Sequence, residues 1–271
     1  MRSGLIKVNG ADIYHEIRGR GPSVTMVMGA SGDGGHFDAV AALLARNYTV
    51  VTYDRRGNGR SPRPPGWTAT SNEEQADDAA ALVDHLGLAP VLAFGTSLGA
   101  TYALYQLIRH PHAVRGAILH EPALYAVLDN PNEVLAPVAP LLQEALEAGG
   151  PSAFMERFWR WVAGDSGWDY LEPSLRQRML GTAATFCDIE RGTYETQRPT
   201  DEALAAITTP MVVLCGQRSP AFRHQMAQWL ADRLQVPVHP APNGHTPYVA
   251  HAAEFAQTLS PLLQRLNAAT R

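Results

Sequence analysis

Cysteine is scarce in this chain: Cys187 and Cys215 are the only two among 271 residues. They are far apart, and neither lies in a Cys-x-x-Cys or Cys/His spacing. That excludes a disulfide framework or structural zinc and fits a reducing compartment. Long apolar runs are missing as well. No stretch approaches 18 apolar residues, and Met1-Arg2-Ser3-Gly4 opens no apolar leader, so the expectation is a soluble, cytoplasmic protein without a membrane partner. Nor does one sign of charge dominate. Lys and Arg total 22 against 26 Asp and Glu, for a net charge of −4, and no basic run offers a face to nucleic acid. The glycine-rich stretch Gly29-Ala30-Ser31-Gly32-Asp33-Gly34-Gly35 lacks the Lys and Ser/Thr of a phosphate loop, and no Gly-x-Gly-x-x-Gly is present. His110-x-His112 has no third ligand nearby, and there is no His-Glu-x-x-His. No metal and no cofactor are therefore expected, and the partner is a small-molecule substrate, with a homodimer left open. Frequent Ala, Arg and Pro fit a GC-rich bacterial genome.

What is present is an alternation of short apolar runs and helical patterns. Leu5–Val8 and Ile13–Ile17 flank the hairpin signal Asn9-Gly10. Val24–Met28, Tyr48–Tyr53, Val91–Phe94, Val114–Leu119, Met211–Cys215 and Val236–His239 read as further strands. Phe37–Ala45, Glu74–Leu86 and Phe222–Leu234 read as helices, the second with Ser71 as N-cap and Glu74 as its reciprocal partner. Phe255, Leu259, Leu262, Leu263 and Leu266 mark a last helix, which Pro261 should kink or break. Continuous apolar strands alternating with helices imply an α/β fold with a mostly parallel sheet covered on both faces. Residues 122–209 break the rhythm. They are helical in pattern and separate two strands, so the division expected is a core of 1–121 and 210–271 with 122–209 as an inserted helical lid. The lid holds Phe154, Phe158, Trp159, Trp161, Trp168, Tyr170 and Phe186. Most of these rings should pack together, and some should line an apolar pocket.

The chemistry centres on Gly95-Thr96-Ser97-Leu98-Gly99, a Gly-x-Ser-x-Gly between a strand and a helix. On the order of one chain in ten of this length carries the pattern by chance, so its context decides. A serine hydroxyl is a poor nucleophile and must be pushed out of the sheet toward a base. A sharp turn does this only if no Cβ crowds the positions two before and two after. The following helix turns its first N–H groups and positive end to the same place. Among ten histidines, His245 is the candidate base by position. It lies in Pro242-Asn243-Gly244-His245-Thr246-Pro247, a turn-rich loop between the last strand and the last helix.

Taken together, these features resemble an α/β-hydrolase over nearly the whole chain. Met28-Gly29-Ala30-Ser31-Gly32, Asp54-Arg55-Arg56-Gly57-Asn58-Gly59-Arg60-Ser61, the Ser97 turn and the Gly244-His245 loop carry the likeness. It implies a serine nucleophile, a histidine base and an orienting acid. It also implies that Asp54 to Gly57 brace the catalytic face. Most relatives place the acid after the strand numbered here 211–215, yet Gly216-Gln217-Arg218-Ser219-Pro220 holds no carboxylate. Glu121, in Leu119-His120-Glu121-Pro122, ends the strand after the nucleophile helix and can supply it. A similar His-Glu occurs in the fungal zearalenone-type lactone hydrolases. Ser219 is then expected to be without consequence, and Asp188 and Glu190 of the lid are the next candidates. For the oxyanion, the resemblance points to the N–H of Leu98 and one from the loop after the third strand, assigned to Ala30. Family members usually carry a histidine where this chain has Met28. Ser31, Phe158, Trp159 and Trp161 are candidate substrate contacts.

The expected function is therefore hydrolysis of a carboxylic ester or lactone of a small apolar or aromatic substrate, through an acyl-enzyme. A serine in place of aspartate at the turn separates the chain from dehalogenases and epoxide hydrolases. Carbon–carbon hydrolases, perhydrolases, and binding or cyclase proteins with a vestigial triad stay open.

Overall fold

The computed structural model describes residues 1–192 and 198–269. Eight strands form one sheet: β1 Arg2–Val8, β2 Ala11–Arg18, β3 Ser23–Val27, β4 Thr49–Tyr53, β5 Val91–Thr96, β6 Val114–His120, β7 Met211–Gly216 and β8 Val238–Ala241. Their spatial order is β1-β2-β4-β3-β5-β6-β7-β8. The first two strands run antiparallel and the other six are mutually parallel. The β1–β2 hairpin turns at Asn9 and Gly10, both at positive φ (46° and 79°), which is the backbone that an Asn-Gly turn prefers. Every residue of β5 is buried, as a strand covered on both faces must be, and this explains its unbroken apolar run. The switch in strand order between β3 and β5 brings the C-terminal ends of these neighbours side by side, which is where open α/β sheets bind ligands.

The helices are α1 Asp38–Leu44, α2 Asn72–His85, α3 Leu98–Arg109, α4 Pro131–Leu135, α5 Ala139–Asp169, α6 Pro173–Gly181, α7 Ala183–Thr185, α8 Asp201–Ala205, α9 Ala221–Leu234, α10 Pro247–Ala250 and α11 Ala252–Ala269. Four sequence expectations are refined. The first helical stretch begins as a 3₁₀ turn at Gly34–Phe37, with Asp33 accepting from the N–H of Gly35 at 2.7 Å. Ser71 does cap α2 through the N–H of Glu74 at 3.1 Å. The Glu74 carboxylate, however, accepts from Trp67 Nε1 and Thr70 Oγ1 at 2.9 and 2.8 Å, so the capping box is only half made. Strand β8 starts two residues later than expected, because Gln235 caps α9 in the left-handed conformation. Pro261 neither ends nor splits α11. Its position is exposed, and the buried stripe of Phe255, Leu259, Leu262, Leu263 and Leu266 holds both halves of the helix to the sheet.

Between β6 and β7, the stretch expected as an insertion, the described residues contain helices and no strand; 193–197 of that stretch lie outside the described residues. Helix α5 is broken at Gly149–Gly150 and again at Gly164 (φ 76°, ψ 166°). A π-helical turn, Phe186–Glu190, follows α7. A fully buried ion pair helps fasten it to the core. Arg55 and Glu190, 1% and 0% exposed at their side chains, meet through two contacts of 2.8 Å. Arg55 also donates to the carbonyls of Met28 and Gly29 at 2.9 and 2.8 Å and to Gln75 at 3.0 Å, and Glu190 accepts from Asn58 at 2.8 Å. The Asp54–Ser61 loop thus braces the end of β3 from below and the insertion from above. Removing one partner leaves a buried charge unmatched, which typically costs about 3–5 kcal/mol. Glu190→Ala should lower unfolding free energy by that order in urea titrations. The double variant Arg55→Met/Glu190→Leu should lose less than Glu190→Ala alone.

Candidate active site

Strand β5 delivers Ser97 into a backbone conformation that an L-residue seldom adopts, φ 57° and ψ −127°. The glycines around it explain how this is tolerated. A Cβ on Gly95 would drive into the backbone of Gly99 and Ala100, and one on Gly99 into the Val27 carbonyl at the end of β3. Both glycines are therefore required by close backbone approach, as the motif predicted. Ser97 is partly exposed within an otherwise buried run from Val91 to Tyr105. As the first residue of α3, Leu98 has an N–H with no acceptor in its own helix. The loop after β3 crosses directly over this spot. A Cβ on Gly29 would sit 2.9 Å from Ser97 Cβ and 3.1 Å from Leu98 N. Ala30, the next residue, lines the same small cavity as Ser97 and His245.

Glu121 follows β6 at φ 47°, and this turn aims its carboxylate across the C-terminal end of β7. It is completely enclosed. Oε2 accepts from His245 Nδ1 at 2.6 Å, and Arg223 Nε lies 3.5 Å from the same oxygen. Oε1 accepts from the Gly216 N–H at 2.7 Å and, through a short hydrogen bond, from the Ser219 hydroxyl. Burial pushes the Glu121 carboxyl up, but the His245 hydrogen bond and nearby positive charge outweigh it and hold it well below the usual range. With Nδ1–H donated to an ionised carboxylate, His245 keeps Nε2 as its lone-pair nitrogen. Burial and then the charge of Arg223 lower the His245 pKa, and Glu121 opposes them. The imidazole is therefore neutral, and able to accept a proton, at pH values where a free histidine is already partly charged.

Two of these residues carry roles that the sequence reading missed. Ser219, at the family's aspartate position, was expected to be without consequence; it instead donates to Glu121. Arg223 was not singled out in the sequence, where no face of α9 was assigned. The buried face is Arg223, Met226, Ala227, Leu230 and Ala231, and an arginine on such a face signals a buried carboxylate opposite it. A third, His120, stacks on His245 at 6.3 Å and bonds Thr96 Oγ1 at 2.9 Å. Burial pushes its pKa down to about 4, so it stays neutral beside the base.

The cavity at Ser97 has a volume of about 20 Å³ and is walled by Met28, Phe158, Trp159, Val162 and Tyr248, among others. Of the proposed substrate contacts, Phe158 and Trp159 lie on this wall. Trp161 does not: it stacks on Phe222 of α9 at 6.4 Å, with an interplanar angle of 7°, and packs against Phe158 at 5.9 Å. Ser31 is also off the wall. Its side chain is fully buried and bonds Ala30 O and His36 Nε2, because φ 68° at Ser31 turns it into the loop. His36 in turn lies flat on Trp159 at 5.1 Å. Asp188 and Glu190, the alternative acids, are occupied by Arg63 and Arg55. Among the described residues no cluster of His, Cys, Asp and Glu could hold a metal ion, and no helix is long and apolar enough to cross a membrane.

Comparison with known proteins agrees with this geometry. The chain is 32% identical to YraK of Bacillus subtilis (strain 168), an uncharacterized hydrolase, over 98% of this chain and 97% of that one. It is 24% identical to the zearalenone hydrolase of Cladophialophora bantiana over 95% and 94% of the two chains. The solved structure of a thermophilic esterase from Thermogutta terrifontis superposes with a TM-score of 0.75 at 24% identity, covering 98% of this chain and 99% of that one. The model of the alpha/beta hydrolase family matches residues 28–258, from the loop after β3 to the middle of the last helix, and the chain belongs to that family of hydrolytic enzymes.

Proposed function

We propose that the chain hydrolyses carboxylic esters or lactones of small, largely apolar substrates through an acyl-enzyme, with Ser97 as nucleophile, His245 as base and Glu121 as orienting acid. The observation that carries the reading is the pairing of a strained, partly exposed serine with a neutral histidine in one cavity, the histidine being held at Nδ1 by a buried carboxylate. In this scheme Ser97 Oγ attacks the carbonyl carbon as its proton passes to His245 Nε2. Glu121 fixes the tautomer and stabilises the imidazolium that forms. The developing oxyanion faces the backbone N–H groups of Leu98 and Ala30, which need no reorganisation to receive it. The imidazolium then protonates the leaving alkoxide, and water repeats the sequence on the acyl-enzyme. No cofactor is needed for any of these steps.

The apolar character of the wall favours an apolar group next to the scissile bond. Phe158 and Trp159 supply rings, and the buried Nε1–H of Trp159 has no acceptor among the described residues, so it can donate to a substrate oxygen. A volume of about 20 Å³ admits about one water. Substrate entry therefore requires the insertion to move, and the helix breaks at Gly149–Gly150 and Gly164 are where α5 can bend. Alanine at both Phe158 and Trp159 should raise KM for aryl-acyl esters several-fold relative to acetate esters, measured as a chain-size series.

Ser97→Ala should fold normally and lose about 10⁴–10⁶ in kcat on p-nitrophenyl acetate or butyrate. Near-normal turnover by the purified variant would end the serine-hydrolase reading. Glu121→Gln should lose most of kcat as well, on the order of 10⁴, whereas Ser219→Ala should lose far less, because Gly216 N–H and Arg223 still hold the carboxylate. Arg223→Met tests the electrostatics. Removing a positive charge that lowers the His245 pKa should raise it, so the acid limb of kcat/KM should move to higher pH and activity should fade sooner on acidification. An unmoved limb would show that Arg223 has no electrostatic hold on the base.

A further inference from the structure

A second recess opens on the other side of His245, and it differs chemically from the apolar cavity. It has a volume of about 280 Å³ and shares His245 and Thr246 with the cavity that holds Ser97. The rest of its wall includes Arg218, Tyr170, Asn243 and His251. Among the described residues no carboxylate lines it. The nearby acids are engaged elsewhere. Asp165 and Asp169, at the end of α5, face Arg160 at 3.1 and 3.6 Å, and Glu254 accepts from Asn243 Nδ2 at 3.4 Å without reaching the wall.

Arg218 brings a permanent positive charge to this wall. Arg55, Arg56, Arg60, Arg178 and Arg223 each face a carboxylate. Arg218 has no such ion pair among the described residues, and its side chain is exposed at the recess. Its backbone N–H donates to the Asn243 carbonyl at 2.8 Å and ties its loop to the His245 loop. The proposed mechanism gives it nothing to do. A guanidinium without a counter-charge among the described residues, on a loop tied to that of His245 and one residue from the Ser219–Glu121 hydrogen bond, is suited to a carboxylate that arrives with the substrate.

We infer that this recess binds a remote anionic group of the substrate, a carboxylate several bonds from the scissile carbonyl, with Arg218 as the residue that selects it. The inference rests on the ester-hydrolase reading above and names the substrate class: half-esters of dicarboxylic acids, or lactones that carry a free carboxylate. The apolar wall at Ser97 takes the hydrocarbon next to the reacting carbonyl, and the recess takes the charged end.

The test compares monoethyl adipate, a half-ester anionic at pH 8, with ethyl hexanoate, its neutral counterpart of equal chain length. Arg218→Gln should cut kcat/KM for the half-ester about tenfold, the order of effect of one partly exposed charge-assisted contact, and leave ethyl hexanoate within twofold. Arg218→Lys should recover part of the loss, and 0.5 M NaCl should narrow the wild-type preference. Equal effects on both esters, or none on either, would overturn the inference. A turnover-independent reading uses the thermal shift induced by adipate in Ser97→Ala, which should vanish in Ser97→Ala/Arg218→Gln. If wild type hydrolyses neither ester but the adipate shift depends on Arg218, the hydrolase reading fails and the anion site stands. If both esters turn over and the shift ignores Arg218, the anion site fails and the hydrolase reading stands.

Discussion

A carboxylate sealed from water at the end of a sheet organises this molecule. An ion in that position is tolerated only when donors surround it, and Glu121 recruits them from four separate stretches of chain. The N–H of Gly216 comes from the end of β7, the hydroxyl of Ser219 from the loop after it, the guanidinium of Arg223 from α9, and the imidazole of His245 from the loop after β8. Each donor is therefore also a restraint. The loop that carries His245 has little regular structure of its own, and its hydrogen bond to a buried anion gives it one orientation at Ser97. The same restraint adjusts the base, because burial and Arg223 favour a neutral imidazole while Glu121 favours a charged one.

A second buried pair does similar work on the opposite side of the cavity. Arg55 holds two carbonyls of the loop after β3 and, through Glu190, the π-helical turn of the insertion. The loop proposed to supply an oxyanion donor and the segment that covers the site are thus joined through one guanidinium. Movement of the insertion has to leave this joint intact or break a buried ion pair. The breaks in α5, far from the joint in sequence, locate the bending in the part of the insertion that carries Phe158 and Trp159 rather than in its anchor.

Much of the fold was legible because it rests on local signals. The hairpin at Asn9-Gly10, the unbroken apolar β5 and the glycines flanking Ser97 each answer to backbone sterics or burial within a few residues. The order Ser97, Glu121, His245 could be read because the turn, the strand end and the late loop each have their own marks. Ring placement was less legible. Trp159 and Trp161 are two residues apart in one helix, yet one lines the cavity and the other stacks on Phe222. Nothing in their spacing says which partner each face of α5 will meet. Pro261 misled for a related reason, since the cost of a proline in a helix depends on which side the ring faces and on how firmly the stripe around it is buried.

By itself the sequence determined the backbone that can exist at Ser97, because only glycine leaves room at positions 95 and 99, and it determined that Gly216 to Pro220 hold no carboxylate. It also determined a sheet buried on both faces, from the apolar continuity of its strands. Tertiary structure alone decided that Ser219 and Arg223 join Glu121, that Ser31 turns away from the cavity, and that Arg218 faces an open recess with no counter-charge among the described residues. The physical reason is range. Steric and periodic constraints act between neighbours in the chain and leave a pattern there, whereas the pairing of buried charges acts through space between residues as far as 135 positions apart, and becomes visible only when the sheet has brought them together.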